Sequence, residues 1–141
     1  MATWTNGDTT MAKMVHSMVR VMDEARSVAF YEKAFNLKVA DRLDFPDFTL
    51  VYMSNATTTF ELELTINKGR TEPYTMGNAY GHLALVVDDV DAERARIEAL
   101  GYTPKNIVNM AYEGKPLAKF FFIEDPDGYK IEVVEKGGRW R

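Results

Sequence analysis

The chain has two histidines, His16 and His82, and each opens a segment of the same design. His16-Ser-Met-Val-Arg-Val-Met-Asp23 stands beside His82-Leu-Ala-Leu-Val-Val-Asp-Asp89. Each is later followed by a strand-like segment carrying a glutamate. These are Glu63 in Phe60-Glu-Leu-Glu-Leu-Thr65 and Glu132 in Asp125-Pro-Asp-Gly-Tyr-Lys-Ile-Glu132. The histidines lie 66 positions apart and the glutamates 69. Taken singly, each residue is ordinary: a histidine at a strand start is usually structural, and Glu61-Leu-Glu63 reads as a solvated strand face. The ordered repetition His, Glu, His, Glu is not ordinary. Two neutral imidazoles and two carboxylates balance a divalent cation, and their N and O donors suit Zn, Ni, Co, Fe or Mn. One half-site is written twice, and two copies suffice to hold a metal ion.

The elements that must carry these groups follow from hydrophobic period. Residues 13–22 alternate as a strand, with Met14, His16, Met18 and Arg20 on one face and Val15, Ser17, Val19 and Val21 on the other. Asp23 is a suitable N-cap for a helix in which Ala25, Val28, Tyr31, Glu32 and Phe35 recur at helical spacing, ending near Asn36. Strands are expected near 37–43, 47–53 and 58–67. The last puts Glu61, Glu63, Thr65 and Asn67 on one face and an apolar row on the other. After a polar connector, Lys68 to Ala79, the pattern restarts. It gives a strand at 80–88, a helix capped by Asp88 or Asp89 and stopped by Gly101, then strands near 102–108, 117–124 and 129–135. Glu132 and Glu135 differ in parity, so they face opposite sides.

The fold class is therefore α+β: two βαβββ modules, about 12–67 and 80–135. Together they are expected to build a curved, mixed, mostly antiparallel eight-stranded sheet around a cavity, with His16, Arg20, Glu63, Asn67, His82 and Glu132 pointing inward. Residues 12–141 form one domain. Residues 1–11 are polar and aperiodic and are expected to be an unordered extension, with both Met1 and Met11 candidate starts. A net charge of −4 argues against a nucleic-acid partner. The absence of cysteine rules out disulfides and thiolate ligands and is compatible with a cytoplasmic location. No apolar run reaches the roughly 18 residues of a membrane helix.

Several segments together resemble glyoxalase I of the vicinal oxygen chelate superfamily. They are His16-Ser-Met-Val-Arg20, Phe30-Tyr31, Glu61-Leu-Glu-Leu-Thr-Ile-Asn67, Ala79-Tyr-Gly-His82 and Asp125-Pro-Asp-Gly-Tyr-Lys-Ile-Glu132, and the likeness runs from about Ala12 to Glu135. The resemblance implies that His16, Glu63, His82 and Glu132 bind the metal. It also implies that Arg20 and Asn67 hold the γ-glutamyl end of glutathione, and that Glu132 acts as catalytic base with Glu63 serving the opposite face. The implied reaction converts the methylglyoxal–glutathione hemithioacetal to S-lactoylglutathione. The short length resembles a bacterial class that prefers nickel or cobalt to zinc and assembles as a homodimer with metal sites shared between chains. One feature departs from the family: Asn78 occupies the neighbourhood where larger zinc-type members place an arginine. That leaves Lys115 and Lys119 as loose candidates for the glycine carboxylate. Rival expectations are an epimerase or glyoxalase using an acyl-CoA or another thiol, and a non-catalytic binding module.

Overall fold

The computed structural model describes Thr3 and residues 11–141. The expected N-terminal extension thus lies almost wholly outside the described residues. The element order is β1 (His16–Arg20), α1 (Glu24–Phe35), β2 (Lys38–Asp44), β3 (Phe48–Ser54) and β4 (Glu61–Asn67), then β5 (Leu83–Val87), α2 (Val90–Ala99), β6 (Val108–Tyr112), β7 (Lys115–Glu124) and β8 (Lys130–Glu135). This is βαβββ twice, as the periodicity requires. The eight strands form two sheets of four, β1-β4-β3-β2 and β5-β8-β7-β6. Each sheet has one parallel pair, β1 with β4 or β5 with β8, and is otherwise antiparallel.

Helix ends fall where side-chain chemistry puts them. The Asp23 carboxylate accepts from the Arg26 amide at 2.9 Å, and Asn36 closes α1 in the left-handed region at φ 54°. Asp89 does the same for α2 through the Ala92 amide at 3.0 Å, with Gly101 at φ 98° just beyond the helix. One strand is displaced from expectation. Residues 102–107 are irregular and the strand occupies Val108–Tyr112 instead. Pro104 lacks a ladder N–H, and the position of β6 is set by its hairpin with β7. There Tyr112 pairs with Lys115 across Glu113-Gly114, both with positive φ (49° and 77°), the two-residue turn that matches strand twist.

The apolar faces of both sheets and both helices share one core. Val51, Met53, Leu62 and Leu64 of the first module join Phe121, Ile123, Ile131 and Val133 of the second, with Phe30, Tyr31, Ala34, Val90 and Ile97 from the helices. The Asp125-Pro-Asp-Gly128 turn locks the modules together. Asp125 is buried and accepts from the Tyr31 hydroxyl at 2.7 Å and from the Asp127 and Tyr129 amides at 2.9 Å each. Asp127 accepts from the Met22 amide at 3.0 Å, and the Tyr129 hydroxyl donates to the Arg20 carbonyl at 2.8 Å. With the core on one side of each sheet, the opposite face of each stays open.

Candidate metal centre

The two histidine–glutamate pairs occupy those open faces. Parallel pairing of β1 and β4 sets Met18 beside Glu63, so the side chains of His16 and Glu63 share a face and meet diagonally, His16 Nε2 lying 3.5 Å from a Glu63 oxygen. In the second sheet Ala84 pairs with Glu132. His82, one residue before β5, reaches Glu132 from the same face at 3.9 Å. Both histidines are about two-fifths exposed, whereas the glutamate side chains are 11% and 18% exposed. Imidazole and carboxylate atoms at these separations can turn onto a common ion, and the donor types fit a divalent metal.

Within one chain the four residues form two pairs, one per sheet. Among the described residues, the group of three or more acids or histidines whose ligand atoms converge within 4.8 Å is a different one, Asp89, Asp91 and Glu135. Each of these already has a partner at the start of α2. Asp89 caps the Ala92 amide, Glu135 accepts from the Val90 amide at 3.1 Å, and Asp91 is ion-paired with Lys119. The opposite parity of Glu132 and Glu135 thus separates a carboxylate on the open face from one that caps a helix. The pairing also removes Lys119 as a free cation for a substrate carboxylate; the hydrogen bond to Asp91 holds its pKa above the usual lysine range.

The surroundings of the two pairs differ. Tyr52 stands opposite Glu63 in the β3–β4 register, with its ring edge-on to His16 at 5.9 Å. Hydrogen bonding to the Glu63 carboxylate pushes the Tyr52 phenol up to about 12. The residue opposite Glu132 is Phe122, edge-on to His82 at 5.2 Å, which offers no hydrogen bond. Further along the first face, an Arg20 guanidinium N–H donates to the Asn67 side-chain oxygen at 3.4 Å, and the Tyr74 hydroxyl donates to the same atom at 3.1 Å. Between Glu63 and Asn67 on this face lies Thr65, 5% exposed, whose hydroxyl is buried without a hydrogen-bond partner. Face parity in the sequence already put Thr65 with Glu63 and Asn67, though without a role; Tyr52 and Tyr74 were not singled out, and Tyr52 needs the β3 register.

Comparison with known proteins agrees with this architecture. The family model described as Glyoxalase/Bleomycin resistance protein/Dioxygenase superfamily matches residues 13–133. The chain is 37% identical over 132 residues to the lactoylglutathione lyase of Neisseria meningitidis serogroup A, covering 88% of this chain and 91% of that protein. It is 38% identical over 127 residues to that of Salmonella typhimurium, with coverage of 87% and 92%. Among solved structures, the trypanothione-dependent glyoxalase I of Leishmania major superposes with a TM-score of 0.72 at 34% identity, covering 89% of this chain and 87% of that one. The chain belongs to the Glyoxalase/Bleomycin resistance protein/Dioxygenase superfamily.

Proposed function

We propose that this protein is a metal-dependent glyoxalase I, converting the hemithioacetal of methylglyoxal and glutathione to S-lactoylglutathione. The observation that carries the reading is the pair of matching His–Glu half-sites on the open faces of duplicated sheets, in a chain similar to lactoylglutathione lyases over most of its length. His16, Glu63, His82 and Glu132 would hold the metal, with nickel or cobalt favoured over zinc. When bound, the metal supplies Lewis-acid stabilisation of the negative charge that develops on the substrate's adjacent oxygens.

The reaction moves a proton from C1 of the hemithioacetal to C2. A carboxylate must take that proton and return it to the neighbouring carbon. Glu132 is the better placed of the two glutamates. It lies farther from its histidine, is more exposed and has Phe122 rather than a hydroxyl donor beside it, so less holds it in place. Glu63, tied to Tyr52, serves the opposite face. Arg20 and Asn67 hold the γ-glutamyl end, Arg20 by forking onto its carboxylate and Asn67 by offering both donor and acceptor. The buried Thr65 hydroxyl between Glu63 and Asn67 supports a polar ligand along this strand face.

The metal site is completed by a second chain. Each half-site sits on an open sheet face that also carries exposed apolar side chains, Met18 on the first and Val108 and Met110 on the second. Apolar residues set around polar groups on an open face mark a surface that packs against another. In a homodimer, His16 and Glu63 of one chain would face the second module of its partner. The cytoplasm is the proposed location; among the described residues no helix is long and apolar enough to cross a membrane.

The decisive experiment is ultraviolet detection of thioester formation from methylglyoxal and glutathione, after chelated protein is given nickel, cobalt or zinc in turn. Activity that depends on added metal is expected, highest with nickel or cobalt. Absence of thioester with every metal rejects the reading. Running the assay with other thiols identifies the co-substrate.

A further inference from the structure

The chain does not stop at β8. Gly137 and Gly138, with φ of 146° and 54°, reverse its direction, and Gly137 bridges back to Trp140. The returning segment Arg139-Trp140-Arg141 lies against the second sheet and forms one wall of a cleft of about 300 Å³; the rest is contributed by Ala84, Leu85, Val86 and Val134. Three of these sheet residues, Ala84, Val86 and Val134, are on the face of His82 and Glu132 by parity. Ala84 pairs directly with Glu132, and Val86 pairs with Val134 one pleat further on. Val134 is only 1% exposed although its strand face is open, and Trp140 is half-buried beside it. The cleft therefore lies beside the His82–Glu132 pair on the same strand face, its near end at Ala84, the register partner of Glu132, and its far end two residues, roughly 7 Å, further along the strands.

Its charge is unlike the rest of the molecule. The chain as a whole carries −4, yet this wall carries two arginines. Among the described residues, Arg139 and Arg141, like Arg20 and Arg70, are in no ion pair with an acid, whereas Arg26, Arg42, Arg94 and Arg96 each are. Arg141 donates from Nε to the Gly138 carbonyl at 3.2 Å, which braces the turn and leaves its terminal nitrogens available. Two arginines and a tryptophan beside the aliphatic side chains of Ala84 and Val86 suit a short carbon chain ending in an anion.

We propose that this cleft is a subsite for the variable end of the oxoaldehyde, selecting 2-oxoaldehydes that end in a carboxylate two or three carbons beyond the ketone. This inference rests on the glyoxalase reading for what occupies the metal half-site, but its test does not require turnover. Two inert glutathione thioethers serve as probes, each bearing a four-carbon chain, one ending in carboxylate and the other in the neutral primary amide of the same shape. Their dissociation constants are measured by calorimetry on the full-length, metal-loaded protein. The glutathione part is common to both and cancels in the ratio.

The carboxylate probe is expected to bind at least about tenfold tighter than the amide, the range of a charge-assisted hydrogen bond at a partly exposed site. The ratio should shrink as salt is raised. Arg139→Gln with Arg141→Gln should bring it to about one, and Arg139→Lys with Arg141→Lys should keep most of it. Thermal unfolding shows whether each variant is folded, and the Lys pair keeps the test valid if the Gln pair is not. Equal binding of the two probes to the unmodified protein would overturn the proposal, as would a preference that survives the Gln substitutions. Failure of the glyoxalase reading shows differently, as absence of thioester from methylglyoxal together with no measurable binding of either probe, whereas equal binding of both overturns only the cleft.

Discussion

If each metal site is shared between two chains, two inactive variants should restore one another. His16→Ala removes a ligand from the first-module half-site, and Glu132→Gln removes the proposed base from the second. Each homodimer then carries the same lesion in both of its sites. In a mixed dimer with shared sites, one site combines the His16→Ala half with the Glu132→Gln half and is doubly damaged. The other combines the two untouched halves. Random exchange of equal amounts leaves about half of the dimers mixed, each with one good site of two, so activity should return to about one quarter of the unmodified level. The connector between modules does not prejudge the answer, since Lys68 to Ala79 can span up to about 40 Å when extended. The assay is thioester formation after mild denaturation and refolding of the mixture with metal, and differently tagged chains verify exchange by co-purification. Verified exchange with no recovered activity would refute the shared site and place all four ligands of each site in one chain.

Other perturbations separate the roles of the site residues. Glu132→Gln should lower kcat by roughly 10²-fold or more, the usual loss for a general base; near-normal kcat would transfer that role elsewhere. His82→Ala should instead release metal, read by metal analysis after gel filtration. Thr65→Val, which removes the unpartnered hydroxyl while keeping the shape, should raise KM for the glutathione hemithioacetal several-fold if substrate engages it, and leave KM unchanged if it does not. Asp125→Ala should cost about 3 kcal/mol or more in chemical unfolding, because the Tyr31 hydroxyl and two backbone amides lose their acceptor. Burial raises the Asp125 carboxyl above its ordinary 3.8. The folded chain thus holds this proton more tightly than the unfolded chain, and the associated stability is complete below about pH 3.8 and lost as pH rises through the folded value. Asp125→Asn should flatten that dependence relative to the unmodified protein, and parallel pH profiles would refute the assignment.

Much of this architecture was legible in the sequence because it is written in local chemistry. Asp23, Asn36, Asp89 and Gly101 mark helix ends through side-chain acceptors and left-handed backbone, and these act over three or four residues. Period-two alternation put His16 with Arg20 and Glu63 with Asn67 on single faces. What was not legible depends on pairing across the chain. The position of β6 is fixed by its hairpin with β7 and not by the polar stretch around Pro104. Tyr52 becomes a neighbour of Glu63 only through the β3–β4 register. The tail reads as basic and polar apart from Trp140; its return to the second sheet depends on Gly137-Gly138, whose signal was present but lay beyond the last expected strand. The pairs His16–Glu63 and His82–Glu132 were foreseeable, but their separation onto two sheets is tertiary.

The two modules repeat the His–Glu pair but not its surroundings, and on the proposed reading that difference gives a symmetric centre an asymmetric task. Four residues after His16 stands Arg20; four after His82 stands Val86. Opposite Glu63 is a tyrosine, whose hydroxyl can bond the carboxylate; opposite Glu132 is a phenylalanine, which cannot. On the proposed reading, the first module grips the thiol and restrains its glutamate, while the second supplies the mobile base and a cleft for the rest of the oxoaldehyde. Proton transfer between adjacent carbons needs this division. A substrate bound equally in two orientations would present C1 to the mobile carboxylate only half of the time. On this reading, Arg20 and Asn67 at one end, and Arg139 with Arg141 at the other, would fix which carbon meets Glu132. Exchanging the ring identities through Tyr52→Phe with Phe122→Tyr should therefore move restraint from Glu63 to Glu132 and lower kcat while metal content holds. Unchanged kcat in that double variant would show that mobility of the carboxylate does not decide which glutamate is the base.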